Sequence, residues 1–316
     1  MTNAERPEGP SASAPTIPSD GLEGSWERKG RSPTTAAIVG LLGIGALYFN
    51  AQSILALLAF SVAAIGHPLT DIPQGFFDRA EYLIRLEANP LQASIMASQY
   101  LFMLAPSWWI IRRWHTRSVR SYVRLAKTSP IDLLLAVGIT LLMIPTGNFI
   151  ANEFTRQLGV PDELMRINAE LFTAHSPAEF VWLILVVAAT PAVCEEFFFR
   201  GYVQRTLERT TGWKSVIIVG VLFGLFHMQP LGLVTLAILG MLFGYFYYQS
   251  RSLLPGMLAH FTNNALAVSL LYWSTVSGDA GTATSQISLL WVGLTLPFGI
   301  LLLVLYHVRT RRTRSD

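Results

Sequence analysis

The stretch PAEFVWLILVVAATPAVCEEFFFRGYV, residues 177–203, decides the architecture. From Pro177 to Cys194 its charged side chain is Glu179, in the first turn. A run of this length and apolarity suits the ~20 residues that cross ~30 Å of hydrocarbon. Ser176 precedes Pro177, and Glu179 follows the serine by three positions, a capping box with proline at the first helical position. The spacing predicts a helix over 177–200, with Glu195 about 27 Å from its start, near the inner side of the hydrocarbon.

Working outward, apolar stretches of similar kind lie near 35–65, 91–111, 131–149, 214–228, 231–250, 254–273 and 287–307. The fold class that follows is all-α, a polytopic transmembrane helical bundle of about eight spans. Composition agrees: the 316 residues are 52% hydrophobic and 14% charged, against roughly 25% charged in soluble chains. A soluble enzyme and a disordered protein are thereby excluded. The chain has one cysteine, Cys194, so neither an internal disulfide nor a zinc–thiolate cluster can form.

The net charge of +3 would suit nucleic acid, but its placement points elsewhere. Arginine and lysine gather at 28–31, 112–127, 205–214, 251 and 309–314, whereas the alternate segments hold Arg79, Arg85, Arg156 and Arg166 among more numerous acids. This is a positive-inside bias, so no nucleic-acid partner is expected, and both termini are expected to be cytoplasmic. Three parts result: a Pro/Ser-rich disordered cytoplasmic tail over 1–33, a membrane domain over 34–308, and a basic cytoplasmic tail over 309–316. Residues 68–89 read equally as an interfacial helix or an ordinary loop. Gly220/Gly224 and Gly240/Gly244 are small-xxx-small spacings that favour close helix packing.

Ionisable side chains inside a bilayer are functional candidates by default. Glu195 and Glu196 are embedded deep in apolar sequence, and of the histidines His227 and His260 fall within apolar spans. The turn joining the fourth and fifth spans centres near Thr211. Glu195 stands 16 residues before it and His227 16 after, so antiparallel helices hold them at one depth. Glu196 and Arg200, at i and i+4, suit an ion pair that leaves Glu195 for a cavity, and His260 and Asn264 share a helical face. A carboxylate, two imidazoles and a carboxamide directed at one point suggest hydrolysis: Glu195 with His227 takes a proton from water, and His260 and Asn264 donate to the oxyanion. Singly, each residue reads as a helix–helix hydrogen bonder and Cys194 as packing; jointly, their confinement to 195–264 favours a site.

These residues form three motifs, Glu195-Glu196-Phe-Phe-Phe-Arg200, Phe223-Gly-Leu-Phe-His227 and His260-Phe-Thr-Asn-Asn264. In order and spacing they resemble the EExxxR, FxxxH and HxxxN motifs of the CPBP family, which comprises CAAX proteases and bacteriocin-processing enzymes and includes type II CAAX prenyl endopeptidases. The resemblance covers 177–273, which it implies is the catalytic core. It implies an intramembrane endopeptidase of the cell membrane acting on a membrane-associated or lipidated peptide or protein, with membrane lipid as its other partner. Glu195, His227, His260 and Asn264 would be catalytic, and Glu196, Arg200 and Phe223 supporting. No cofactor is required by this reading. A divalent metal such as zinc, held by Glu195, His227 and His260, is the alternative chemistry. The alternative functions are a non-catalytic relative in protein sequestration or bacteriocin-type immunity, and a proton-relaying transporter.

Overall fold

The computed structural model describes residues 21–64, 75–159, 169–230, 232–278 and 288–315. Among the described residues there is no strand, and ten helices carry the fold. In chain order they are α1 Ser25–Arg28, α2 Pro33–Ala64, α3 76–115, α4 Val119–Tyr122, α5 Pro130–Gln157, α6 Pro177–Thr211, α7 Lys214–Phe226, α8 Leu233–Ser250, α9 Leu254–Ser277 and α10 Leu289–Ser315. By length and composition α2, α5, α6, α8 and α10 can cross a membrane. The chain is an integral membrane protein whose outward surface is apolar: Leu134 is 71% and Leu57 67% exposed.

The expected eight crossings are not all met on this measure. Helix α7 is short, while α3 carries Asp78, Arg79 and Arg85 near its start and α9 spends core positions on His260, Asn263 and Asn264. Other boundaries also differ. Residues 76–89 are neither a separate surface helix nor a loop but the first turns of α3, while 68–74 lie outside the described residues. Helix α6 runs on to Thr211 rather than ending at 200, because its last turns are buried by protein rather than released to solvent. Glu195 is therefore mid-helix, about 27 Å from one end and about 24 Å from the other. The expected basic tail from 309 is helical through Ser315.

The start of α6 follows its cap: Ser176 Oγ accepts from the Glu179 amide at 3.2 Å. Glu179 returns its carboxylate to the His175 amide at 2.8 Å, one residue earlier than the usual reciprocal bond. The α6–α7 turn uses Gly212 at φ +56°, a left-handed conformation that glycine adopts without Cβ strain. Helices α7 and α8 approach at Gly220 and Gly240. A Cβ on Gly240 would sit 2.8 Å from the Gly220 carbonyl oxygen, so the small-residue spacing is indeed a packing device. The second half of α6 is the axis of the core, with Phe198, Phe199, Tyr202 and Val203 fully buried among α2, α3, α7 and α8.

The basic end is closed by polar clamps. Residues 21–33, expected in a disordered tail, instead pack there: Trp26 stacks on Trp114 at 4.8 Å and the Gly24 amide donates to the His115 carbonyl. Residues 1–20 lie outside the described set. Arg124 grips both oxygens of Glu208 at 2.8 and 2.9 Å, and Arg251 joins the same carboxylate. Arg309 donates to Asp132 at 2.8 Å, bringing the end of α10 to the start of α5. Glu27 accepts from Arg209 and from His115 Nδ1 at 2.6 Å. Burial pushes the Glu27 carboxyl up, but the hydrogen bonds and charge of Arg209 and His115 outweigh it and hold the group at about 2. Burial also pulls His115 below its ordinary value.

An acid with a folded pKa lower than its unfolded one stabilises above the unfolded value, and the contribution is lost as pH falls through the folded one. Thermal unfolding in detergent should show wild type more stable than Glu27→Gln by about 1–3 kcal/mol near neutrality. The difference should shrink as the pH drops from 4.5 towards 2.

Candidate active site

Glu195 and Glu196 occupy an α-helical segment of α6, Thr190–Glu196, flanked by two wide π turns, Ile184–Ala189 and Phe197–Gln204. Such bulges free backbone groups and re-aim side chains. Pro191 contributes to the first: lacking an N–H, it cannot bond the Val187 carbonyl four residues earlier. Asn264 of α9 fills that vacancy, its Nδ2 donating to Val187 O at 2.8 Å. The Asn264 Oδ1 accepts in turn from Asn263 Nδ2 at 3.0 Å.

Glu196 and Arg200 form the expected pair, 2.8 Å apart, with both side chains fully buried. Arg200 also donates to the Gly240 carbonyl of α8 at 2.8 Å, and its guanidinium lies 4.6 Å over the Phe223 ring of α7. His260 of α9 turns Nδ1 to Glu196 Oε1 at 3.0 Å. Because a carboxylate only accepts, Nδ1 carries the hydrogen, and Nε2 is the nitrogen left over. The His260 ring is stacked on Phe243 at 5.1 Å and meets Phe223 edge-on at 5.9 Å. Glu196 thus does more than balance Arg200; it also orients His260, a cross-helix bond that spacing along one helix does not reveal.

His227 stands at the end of α7, just past Phe226 and not inside the span as expected; Met228 after it takes φ +51°. Its Nδ1 donates to the Phe223 carbonyl at 2.8 Å, which leaves a lone pair on Nε2. That nitrogen faces Glu195 Oε2 across 3.8 Å. The gap is too long for a direct hydrogen bond and suits one bridging water. Glu195 Oε1 accepts from Gln99 Nε2 of α3 at 3.0 Å. Gln99 is a site residue the sequence reading missed; it lies in an expected span, but nothing in its local pattern separates it from any other polar residue there.

A cavity of about 430 Å³ receives Glu195, His227, His260, Asn264, Asn263 and Gln99, and its remaining wall is largely apolar. A second cavity of about 270 Å³, between α5, α8 and α9, shares Gln229, Leu236, Leu239, Asn263 and Ala267 with it. Cys194 is buried and takes no part in either lining. Among the described residues no three His, Cys, Asp or Glu side chains converge closely enough to hold an ion.

With this geometry in view, comparison with known proteins places one stretch. Residues 177–266 match the family model of type II CAAX prenyl endopeptidases, described as Rce1-like. The match bears out the CPBP resemblance carried by the three motifs, and it covers all of them. No curated protein and no solved structure matches the chain.

Removing one partner of a buried pair costs more than removing both, because the survivor stays charged without compensation. Arg200→Met is expected to lose about 3–5 kcal/mol. The double variant Glu196→Gln/Arg200→Met should recover part of that loss, as read from thermal unfolding of the purified proteins in detergent.

Proposed function

We propose that the protein, whose residues 177–266 match type II CAAX prenyl endopeptidases, is an intramembrane endopeptidase that hydrolyses a membrane-associated or lipidated peptide. The observation that carries this reading is the pair of acceptors, Glu195 Oε2 and His227 Nε2, facing each other across 3.8 Å at a cavity. A water in that gap gives one O–H to each and turns an oxygen lone pair towards a scissile carbonyl. Glu195 takes a proton as the oxygen attacks, and the carbonyl becomes a tetrahedral oxyanion. Asn264 has one amide hydrogen committed to Val187 and a second free to donate to that oxyanion. His260 donates from Nε2 when that nitrogen is also protonated, with Glu196 holding the opposite edge of the ring. Collapse of the intermediate breaks the C–N bond. The proton on Glu195 passes to the leaving nitrogen, giving an amine and a carboxylic acid that keeps the second water proton; transfer of that proton to the amine leaves a carboxylate and an ammonium.

Glu195, His227, His260 and Asn264 are then the catalytic groups, and Glu196, Arg200 and Phe223 support them. The water-activated route, as proposed, needs no metal. The apolar wall of the cavity suits a lipid-borne or apolar peptide. We further place the basic end on the cytoplasmic side of the cell membrane, which puts both described ends of the chain there.

The test is a peptide library presented to the purified protein in detergent and read by mass spectrometry. Wild type should cleave, and should do so equally with and without a chelator. Glu195→Gln should lose at least about 100-fold of the rate. A folded Glu195→Gln protein with undiminished hydrolysis would overturn the mechanism, and a chelator-sensitive wild type would overturn its metal-free form.

A further inference from the structure

We propose that Gln99 is a positioning residue that commits one oxygen of Glu195, so that the other is left to the water; the inference rests on the peptidase reading above. A carboxylate on a helix is free to turn about its last torsion, which is broad and roughly two-fold. For Glu195 that freedom would exchange the oxygen facing His227 and blur the geometry of attack. Gln99 removes it. Its Nε2 donates to Oε1 at 3.0 Å from a side chain only 3% exposed, and Oε2 is the atom that remains opposite His227. The amide orientation is fixed by chemistry, since its reverse would set two acceptors face to face.

The rest of α3 is built to hold that contact. Gln92, seven residues earlier on the same helical face, accepts from Trp182 of α6 at 2.8 Å and donates to the Leu171 carbonyl at 2.7 Å. On the α2 side, Gln52 bonds Ser94 at 3.1 Å and also Ser98. The rotation of α3 is therefore set from two directions, and the wide turn Tyr100–Leu104 begins directly after Gln99. Other groups that face Glu195 electrostatically are Tyr48 from α2, Cys194 and Arg200 from α6, and His227 from α7; His260 of α9 is held on Glu196. Tyr48 also bonds Gln99 and Ser98; the partners of the other groups do not include residue 99.

A residue that merely fills space at 99 would affect stability, whereas a donor to the reacting carboxylate affects its protonation and the rate of chemistry. The experiment compares full-length wild type, Gln99→Met, Gln99→Ala and Glu195→Gln in detergent. Methionine keeps the bulk without the donor, and alanine serves if methionine does not fold. Infrared titration follows the protonated-carboxyl band that is absent from Glu195→Gln. Its midpoint should rise by about one pH unit or more in the Gln99 variants. With a cleaved peptide, kcat should fall about 10–100-fold while KM stays within about twofold. An unchanged midpoint overturns the proposal whatever the activity. A shifted midpoint in a protein that cleaves no peptide supports the Gln99 contact and rejects the peptidase reading instead.

Discussion

The buried guanidinium of Arg200 is the constraint on which the rest of the site depends. An unpaired charge in an apolar interior costs several kcal/mol even after relaxation, so its surroundings must be built to receive it. Four helices supply them. Glu196 comes from the same helix, the Gly240 carbonyl from α8, the ring face of Phe223 from α7, and His260 from α9 through its bond to Glu196. Gly240 can present its backbone because it has no side chain and α7 passes against it. Satisfying one cation thus sets the separation and rotation of the helices that carry Glu195, His227, His260 and Asn264.

The same helix departs from regularity on either side of Glu195 and Glu196. Two wide turns and Pro191 release backbone acceptors that a regular helix would satisfy. Asn264 answers one of them, at Val187, and that bond fixes the amide at the cavity edge. Positioning and structural roles coincide in this residue: one hydrogen of its amide secures the helix, and in the proposed mechanism the other donates to the oxyanion. His227 follows the same logic, with one ring nitrogen fixed by a backbone carbonyl and the other presented to Glu195. The groups are held by bonds made away from the gap, which is the arrangement expected of a preorganised polar site.

The closed basic end complements this open centre. Glu27, Glu208 and Asp132 each take an arginine from a distant part of the chain, so the segment before α2 and the α4–α5 and α8–α9 links are clasped to the end of α6, and the end of α10 to the start of α5. Charged clamps suit the end of a membrane bundle, where headgroups and water reduce the cost of burial, whereas among the described residues the middle of the bundle relies on neutral bonds apart from the Arg200 pair and Glu195. The difference follows the change in surroundings along the bundle axis.

Much was legible from the chain itself. Apolar length predicted membrane helices, Ser176 and Glu179 the start of α6, and the i, i+4 spacing the Glu196–Arg200 pair. Counting outward from Thr211 put Glu195 and His227 at one depth. All of these are local relations, governed by helical rise and periodicity, and they survive any tertiary arrangement. Gln99 beside Glu195, His260 on Glu196, Asn264 on Val187 and the true extent of α6 were decided only by the tertiary structure. Contacts between helices depend on tilt, rotation and bulges, which many packed side chains set together, and no spacing along a single segment encodes them.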